Sequence, residues 1–271
     1  MSKTRDGRAH QEFLDSSQYT INGVERYEVV FGRGFVSSGG KKTTDAFLDE
    51  FELPENARVL DVGCGIGGSM FALRRRFPTV TVLGVDLSKN MIDLAHQRLD
   101  ENPDVADGLE FLLGDIFTVD LPLASFDLVY SRDCFLHVHD KEGLAKRLAT
   151  LTKPGGRIFW TDYVAPLEAD QDAEMKAYLD QRGYCLVPVV ENVKRLEAGA
   201  GDLIENVEGK DLTELWKGVL QEELMRMEEV KSQLTEKDYN DLKSGWATKV
   251  ERVERGQQGW GSFSCYRKVN Q

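Results

Sequence analysis

Residues 130–140, YSRDCFLHVHD, combine proton-carrying and charged side chains in a short stretch. The chain has four histidines, and His137 and His139 both lie here, close to Arg132 and Asp133. A histidine titrates close to neutral pH, so His137 could remove a proton from an amine and leave it nucleophilic. Asp133 precedes His137 by four residues, a spacing that one helical turn would place on one face. The stretch is a candidate active site. A surface loop is the alternative, which we favour for His139.

Three acidic residues and two glycines lie at the ends of successive predicted strands. The stretch LDVGCGIGG carries Asp61, Gly63 and Gly65 between a predicted strand and a predicted helix. Glycine allows a tight turn there and lets a ligand lie against the backbone. Asp86 ends the next strand, where a carboxylate can accept both hydroxyls of a ribose. Asp115 ends the third strand, where it could accept a hydrogen bond from an adenine amino group. These acids predict a nucleoside-containing ligand at the edge of an open sheet.

The sequence around these residues alternates short apolar runs with amphipathic stretches. This alternation is typical of βαβ units, and it predicts an α/β fold whose parallel sheet is covered by helices on both faces. Ser88 stands at the N-cap position of one predicted helix. The predicted strands are 58–63, 81–87, 109–115, 126–132, 157–164, 203–209 and an edge-lying 260–269; the predicted helices are 67–77, 88–99 and 141–151, the last closed by a turn at 153–156.

The two ends of the chain are less regular than its centre. We predict that all 271 residues form one domain with a helical cover, rather than two domains. The nucleoside-binding core is predicted at 57–164. Around it we predict N-terminal lid helices over 10–56 with a loop at 37–40, a charged helical cover with one strand over 165–257, and the last strand within 258–271.

Charge and composition narrow the range of partners. A formal net charge of −12 argues against a nucleic-acid surface, and an anionic substrate would need a local cluster of Arg, Lys and Tyr. No apolar run approaches the ~20 residues of a membrane span. The N-terminus is polar, and the four cysteines form no CxxC pair. We therefore expect a cytoplasmic monomer with reduced thiols, no signal peptide, no stable membrane insertion and no metal site.

The acids and glycines at the strand ends resemble the motifs of the class I S-adenosylmethionine (SAM)-dependent methyltransferases. NAD binding is the alternative, but the spacing is GxGxG rather than GxGxxG, and Asp61 would be unfavourable beside a pyrophosphate. The resemblance implies a Rossmann-like class I methyltransferase fold with a mostly parallel seven-stranded sheet, and SAM as cofactor. It assigns Asp61, Gly63 and Gly65 to the methionine part of SAM. It assigns Asp86 and Leu87 to the ribose, and Asp115 and Ile116 to the adenine.

A second resemblance, to the phosphoethanolamine (phosphobase) methyltransferases, is carried by four stretches: 17–40, 130–138, 161–184 and, within 245–263, GW, Lys249 and QGWGSF. The similarity covers about residues 12–265, although 187–212 matches only loosely. It implies methylation of phosphoethanolamine, through its mono- and dimethyl forms, to phosphocholine for phosphatidylcholine synthesis. The presence of all the expected contacts in one chain favours a stand-alone enzyme that starts from phosphoethanolamine.

The same resemblance assigns roles to individual side chains. Tyr19 on the lid and His137 form a pair that closes the site, and Asp133 lies near the amine. Contacts to SAM are implied for Gln18, Ser37 and Arg132. Arg132 is expected near the adenosine end of the cofactor. Contacts to the substrate phosphate are implied for a cluster of donors: Tyr163, Arg182, Tyr184 and Lys249.

Other interpretations stay open at this point. Without the resemblance, Lys249 would be a solvated helix lysine and Tyr184 a packing residue. A SAM-dependent methyltransferase restricted to the later phosphobases, or acting on another small amine, is the alternative function. A sterol site would need apolar walls, whereas the predicted site is rich in Tyr, Arg and Asp. A SAM-binding module without catalysis would be expected to lack the Tyr19–His137 pair or the phosphate cluster.

Overall fold

Seven strands form one sheet in the structure, which is a computed structural model that describes residues 7–269. The strands are β1 (Arg58–Val62), β2 (Thr81–Asp86), β3 (Leu109–Leu113), β4 (Phe126–Arg132), β5 (Thr152–Val164), β6 (Ile204–Asp211) and β7 (Gly259–Arg267). Their order is β3-β2-β1-β4-β5-β7-β6. Strands β1 to β5 pair in parallel, and β7 is antiparallel to both β5 and β6. The predicted class I methyltransferase fold, with its mostly parallel seven-stranded sheet, is confirmed.

The helices pack on both faces of this sheet. In the chain's central part the predicted helices are confirmed, and Ser88 caps its helix by accepting a hydrogen bond from the Met91 amide at 3.2 Å. The α-helices are α1 (Gly7–Phe13), α2 (Ile21–Phe31), α3 (Gly40–Leu48), α4 (Gly68–Arg76), α5 (Lys89–Asp100), α6 (Lys141–Leu151), α7 (Ala173–Arg182), α8 (Val189–Ala200), α9 (Thr213–Glu229) and α10 (Glu236–Glu254); a π-helical segment spans Leu14–Gln18 and a 3-10 helix spans Phe135–His137.

Both faces of the central strands are buried, which explains why their sequences are almost continuously apolar. In β4, Leu128 and Tyr130 pack in one hydrophobic core, whereas Val129 packs in the core on the other side of the sheet. Leu128 has no exposed surface, so truncating it to Ala is expected to cost roughly 2–5 kcal/mol of unfolding free energy. The strands are therefore a rigid support for the residues at their carboxyl ends.

The position of the last strand differs from the prediction. Strand β7 pairs with β5 on one side and with β6 on the other, so it is not an edge strand. All of its first seven residues are buried, whereas only Ile204 is buried in β6. The alternation in the sequence indicates a strand but does not reveal its neighbours, and the exposed strand β6 forms the edge instead.

The predicted turn at 153–156 is also wrong. Helix α6 ends at Leu151 and strand β5 begins directly at Thr152, whose hydroxyl donates to the carbonyl of Leu148 at 2.8 Å. The Pro-Gly-Gly sequence is accommodated as an irregularity in the pairing of β4 and β5 between Phe126 and Leu128. Gly155 adopts a φ of +80°, which explains a glycine at this point.

The N-terminal helices are held against the sheet domain by a buried ion pair. Arg98 on α5 donates to both carboxylate oxygens of Glu28 on α2, at 2.9 and 2.6 Å. Both side chains are 3% exposed, so removing one partner would leave an uncompensated buried charge. Helix α2 is therefore fixed, and the segment before it lies over the carboxyl ends of the strands. Among residues 7–269, no helix is both long and apolar enough to span a bilayer.

Candidate active site

A cavity of about 360 Å³ lies at the carboxyl ends of β1 to β4, beneath the N-terminal segment. Strand β1 lies between β2 and β4, so this is the point where the strand order reverses and where α/β sheets bind ligands. We call it the first cavity. Of the residues predicted to contact the cofactor, eight line it: Ser37, Gly63, Gly65, Asp86, Leu87, Asp115, Ile116 and Arg132.

Asp86 organises the glycine loop at the base of the first cavity. One carboxylate oxygen accepts from the Gly65 amide at 2.9 Å, and the other accepts from the Ser88 amide at 2.8 Å. Desolvation raises the pKa of Asp86 to about 6, although these two hydrogen bonds oppose the rise. The side chain is therefore an anion at neutral pH, and an anionic carboxylate suits the diol of a ribose.

The glycines of the loop are required by close packing. Gly63 has a φ of +71°, and a Cβ there would lie 2.0 Å from the Cys134 Sγ atom. Gly65 has a φ of +54°, and its Cβ would reach 3.3 Å from a methyl group of Val36 on the lid side. Side chains at either position would strain the backbone and displace its neighbours, which would close part of the cavity.

Asp61 is buried behind this loop and is not part of the cavity lining. Its Oδ2 atom has no hydrogen-bond partner among residues 7–269. Burial raises its pKa to about 8, the charge of Asp86 adds to the rise, and Arg132 opposes it. A buried polar atom without a partner is costly. The orphaned oxygen therefore fits a cationic or N–H group of a ligand in the neighbouring cavity.

The far end of the first cavity is formed by residues after β3. Asp115 accepts from the Phe117 amide through Oδ1 at 2.9 Å, and Ile116 is a buried apolar residue. Helix α1 covers this end, because a Cβ at Gly7 would lie 3.1 Å from the Oδ2 atom of Asp115. An acceptor beside an apolar wall suits an amino-bearing aromatic ring.

Arg132 lies away from that end. Strands β1 and β2 separate β4 from β3 in the sheet, so the predicted position of Arg132 near the adenosine disagrees with the strand order. Its guanidinium is buried and donates to the hydroxyls of Thr161 and Thr44 at 2.9 and 2.8 Å, and to the Ser38 carbonyl at 3.0 Å. Arg132 thus fixes the loop 37–40 at the carboxyl end of β4.

A second cavity, of about 400 Å³, lies between the N-terminal segment, α7 and α10. All four residues predicted to bind phosphate line it: Tyr163, Arg182, Tyr184 and Lys249. Gln18, which was predicted to contact the cofactor, lines this cavity and not the first, and it accepts from Arg182 at 3.2 Å. The π-helical segment that ends at Gln18 turns its side chain to this side.

The two cavities share three lining residues: Tyr19, Val36 and Asp133. The Tyr19 hydroxyl and the His137 Nε2 atom are 2.8 Å apart, although 118 residues separate them in the sequence. The structure therefore brings the predicted Tyr19–His137 pair together at the junction. His139, two residues further on, is exposed.

Burial decides the charge state of this pair. The pKa of His137 is lowered to about 3, chiefly by desolvation and then by His10, so the expected value near neutrality is wrong. Desolvation also raises the pKa of the Tyr19 phenol. The protonated phenol of Tyr19 can donate to Nε2 of the neutral imidazole, which places the imidazole proton on Nδ1, an atom with no hydrogen-bond partner among residues 7–269.

Asp133 does not share a helical turn with His137, contrary to the prediction from spacing. It has a φ of +51°, and the 3-10 helix begins only at Phe135. Its carboxylate instead accepts from the Ser38 amide at 2.9 Å, from the Thr161 hydroxyl at 2.8 Å and from the Trp260 indole at 2.8 Å. A left-handed backbone held by several bonds is typical of functional sites.

The cationic side of the second cavity is embedded in aromatic rings. The Lys249 Nζ atom lies 3.5 Å from the Tyr163 hydroxyl and 4.6 Å from the centre of the Trp246 ring. Desolvation lowers the pKa of Lys249 to about 8, and Glu223 opposes this. Arg252 lies 3.8 Å above the ring of Tyr178. A partly desolvated cluster of cations and phenols is the kind of site that binds a phosphate dianion.

Several residues of the site were missed from the sequence. Asp15 accepts from the Ser88 hydroxyl at 2.5 Å, and the Asn90 side-chain amide donates to the carbonyls of Asp15 and Tyr19, both at 3.0 Å. These bonds fasten the segment that carries Tyr19 onto the start of α5. No motif marks them, because the contacts join positions more than 70 residues apart. Four lining residues of the second cavity were missed as well: Tyr27, Tyr178, Trp246 and Arg252.

Comparison with known proteins identifies the family. Residues 60–160 match the family described as Methyltransferase domain. The chain is 35% identical to phosphoethanolamine N-methyltransferase of Plasmodium falciparum over 259 residues, which are 93% of this chain and 94% of that protein. The chain belongs to the phosphoethanolamine N-methyltransferase family.

Other members of this family are longer. The chain is 40% identical over 265 residues to phosphoethanolamine N-methyltransferase 1 of Arabidopsis thaliana, and it spans 52% of that protein's length. It superimposes with a TM-score of 0.88, at 31% identity, on phosphoethanolamine N-methyltransferase 2 of Haemonchus contortus in complex with phosphomonomethylethanolamine and S-adenosylhomocysteine. That match covers 95% of this chain and 60% of the nematode chain. The chain thus spans about half the length of its plant relatives.

Proposed function

We propose that the protein transfers methyl groups from SAM to the amine of phosphoethanolamine, and through the mono- and dimethyl forms to phosphocholine. The observation that carries the proposal is the meeting of two chemically opposite cavities at the Tyr19–His137 pair. Family membership and the ligands named for the Haemonchus contortus relative support the same activity.

The first cavity is proposed to hold SAM, which supplies an electrophilic methyl group on its sulfonium when bound. Asp86 with Leu87 would hold the ribose, and Asp115 with Ile116 the adenine. The unpaired oxygen of Asp61 lies behind the loop that carries Gly63 and Gly65, and through that loop it would favour the ammonium of the methionine part. Ser37 is buried in the lining and would contact the same ligand.

The second cavity is proposed to hold the phosphobase with its phosphate away from the junction. Arg182 can bind a phosphate bidentately, and Lys249 acts as a point charge beside it. The hydroxyls of Tyr163 and Tyr184 complete the set of donors. With the phosphate there, the amine end points toward Asp133, whose carboxylate lines both cavities and attracts an ammonium.

The amine must lose a proton before it can attack. A primary ammonium has a pKa of about 10, so direct transfer to a histidine with a pKa of about 3 would cost about 10 kcal/mol. In our proposal the amine proton moves to the Tyr19 oxygen while the Tyr19 proton moves to His137 Nε2. The pair acts as a base only when substrate is bound.

A restriction to the later phosphobases is the second candidate. The aromatic rings of Tyr27, Tyr178, Tyr184 and Trp246 in the second cavity favour cations, and methylated ammonium groups bind well to such walls. This composition would suit a partly methylated substrate at least as well as phosphoethanolamine. The difference lies in which step is fastest, so turnover has to be measured for each phosphobase.

The test is to incubate the purified protein with SAM and with phosphoethanolamine, its monomethyl form or its dimethyl form in separate reactions. Mass spectrometry then quantifies methylated products and S-adenosylhomocysteine. We expect all three substrates to be consumed, with ethanolamine inert because it lacks the phosphate. Activity on the two methylated substrates alone would select the second candidate. Methylation of ethanolamine at the same efficiency, or of no phosphobase, would contradict the proposal.

A further inference from the structure

Glu223 on α9 is a buried acid that no motif marks. It is 5% exposed. Its Oε1 atom accepts from the Gly39 amide at 2.7 Å, and its Oε2 atom accepts from the Trp246 indole N–H at 2.7 Å. Burial raises the pKa of Glu223, while Lys249 and these two donors oppose the rise. Both oxygens are thus engaged by N–H groups, an arrangement that matches a carboxylate.

The bond to Gly39 anchors a loop that contacts lining residues of both cavities. In the loop 37–40, the Ser38 amide donates to Asp133 at 2.9 Å, and the Ser38 hydroxyl lies 3.0 Å from the Tyr163 hydroxyl. Asp133 belongs to the junction, and Tyr163 to the predicted phosphate site. Glu223 therefore anchors this loop at Gly39, while Ser38 in the same loop positions Asp133 and Tyr163.

The bond to Trp246 reaches the phosphate site itself. Lys249 follows Trp246 by one helical turn on α10, and its ammonium lies 4.6 Å from the centre of the Trp246 ring. A carboxylate that accepts from the indole N–H polarises the ring and makes its face more negative, which strengthens the attraction for a cation. The carboxylate charge thus acts on Lys249 through the intervening ring.

Lys249 sits among opposing charges. Burial, Arg182 and Arg252 lower its pKa, whereas Glu223 and Asp133 raise it, and the result is a pKa of about 8. The ammonium is therefore present below about pH 8 and is lost as the pH rises through that value. Without the charge of Glu223 the pKa would fall further, so a larger fraction of Lys249 would be neutral near physiological pH.

We propose that Glu223 is a positioning residue of the phosphate site, which orients Lys249 as a charged donor toward the substrate phosphate and fixes the loop 37–40 between the two cavities. The inference rests on the proposed function, because it assigns the phosphate of the phosphobase as the group that Lys249 binds. Glu223 does not contact the substrate in this proposal. It acts through Trp246 and Gly39.

The test compares Glu223→Gln with Glu222→Gln. Glu222 is the adjacent residue, is half exposed, and pairs with Lys42 at the surface, so it is a matched control. Calorimetry measures phosphoethanolamine binding to the protein saturated with S-adenosylhomocysteine, from pH 7 to pH 9, where the phosphate stays a dianion. Wild type and Glu222→Gln are expected to lose affinity as the pH rises through about 8.

For Glu223→Gln we expect the loss of affinity to begin at lower pH, because the pKa of Lys249 is lower. If the pKa fell by about one unit, the charged fraction of Lys249 at pH 8 would drop roughly fivefold, and the dissociation constant at that pH should rise by about the same factor. The affinity for S-adenosylhomocysteine should stay within about twofold, which also shows that the variant is folded. Coincident pH profiles for Glu223→Gln and Glu222→Gln would overturn the inference.

Two further variants separate charge from folding. In a Lys249→Met background, Glu223→Gln should lose the pH-dependent part of its effect, and a pH-dependent effect that is undiminished there would show that Glu223 does not act through Lys249. Glu223→Asp keeps the charge but is too short for both donors. For Glu223→Asp the pH at which affinity is lost should stay the same, while the affinity for phosphoethanolamine falls at every pH. An Asp variant with wild-type affinity would contradict the positioning role, even if Glu223→Gln failed to fold.

Failure of the proposed function would be recognised separately. Wild-type protein that bound no phosphoethanolamine would overturn the function. The inference about Glu223 would then be decided by the side-chain nitrogen NMR signal of Lys249, assigned with Lys249→Met. A lower pKa for that signal in Glu223→Gln than in Glu222→Gln would support the electrostatic link, and an equal pKa would overturn it.

Discussion

The first and second cavities are built in opposite ways. The first is formed largely by loops that follow four consecutive strands, so its residues come from short segments of sequence close to Gly63, Asp86 and Asp115. The second is formed by side chains from distant helices, and its two main cations, Arg182 and Lys249, stand on α7 and α10. A cavity built from strand-end loops can thus be encoded locally, whereas a cavity built from distant helices depends on tertiary packing.

The charges of the two cavities differ as well. The acids Asp86 and Asp115 line the first, with Asp61 buried behind its loop, and this arrangement suits a ligand with a sulfonium, an ammonium and ribose hydroxyls. Arginine and lysine line the second, in a chain whose net charge is −12. Opposite potentials in adjacent cavities would orient each ligand toward its own site. The Tyr19–His137 pair lies where the two potentials meet, so the largest effects on chemistry are expected there.

The largest effect is predicted for His137→Ala, which removes a group at the junction and leaves both cavities intact. Loss of a positioned proton acceptor typically lowers kcat by 10²–10⁴-fold, and the affinity for SAM should stay nearly normal. His139→Ala changes a neighbouring exposed histidine and should leave kcat and KM almost unchanged. A near-normal kcat for His137→Ala would mean that His137 does not accept the amine proton and that residues 130–140 have no special role.

The next effect is predicted for Arg182→Ala, which should affect the second cavity alone. A bidentate guanidinium–phosphate contact contributes two charge-assisted hydrogen bonds, so the KM for phosphoethanolamine should rise roughly 100-fold, with little change in the KM for SAM. Arg195→Ala removes an ion pair with Glu191 on α8 and serves as the control. Equal increases in both KM values would mean that the two cavities are not separate sites.

The reciprocal change is Asp86→Ala, which should affect the first cavity alone. Loss of one or two charge-assisted hydrogen bonds, at roughly 1.5–3 kcal/mol each, should weaken SAM binding by at least roughly tenfold in calorimetry. Phosphoethanolamine binding should change little. The control is Asp93→Ala, which removes a surface acid of α5 that pairs with Lys89. Unchanged SAM affinity would remove the ribose assignment.

A smaller effect is predicted for Asp15→Ala, which loosens the covering segment without touching either predicted ligand site. Asp15 accepts from Ser88 at the start of α5, and a net loss of about 1 kcal/mol corresponds to a roughly fivefold faster release of S-adenosylhomocysteine in stopped flow. Glu12→Ala, an exposed change on α1, is the control. Equal release rates for the two variants would show that Asp15 does not hold the segment closed.

The sheet and the first cavity could be predicted because their signals are local. Alternating strands and helices specify a parallel sheet, and parallel strands place Asp61, Asp86 and Asp115 at one edge. The same signals do not specify which strands are neighbours, so β7 was expected at an edge although it lies between β5 and β6. The family resemblance, and not the local pattern, supplied Arg182 and Lys249.

The electrostatics of the junction could not be predicted from the sequence. The pKa of His137 depends on its burial by residues such as Tyr19 and His10, which are more than 100 positions away. The orientation of Gln18 depends on a π-helical segment, and the left-handed backbone of Asp133 replaces the helical turn that its spacing indicated. These features arise from tertiary contacts, which a single sequence does not display.

The central claim is that Tyr19 and His137 act as one unit between two separate ligand sites. The most direct test is single-turnover methylation of phosphoethanolamine, with both ligands saturating, in Tyr19→Phe, His137→Ala and the double variant. Because the proposed relay runs through the Tyr19 oxygen to His137, we predict that Tyr19→Phe and His137→Ala slow the reaction by similar factors, and that the double variant is scarcely slower than either single variant. Single effects on the activation free energy that simply add in the double variant would contradict the claim.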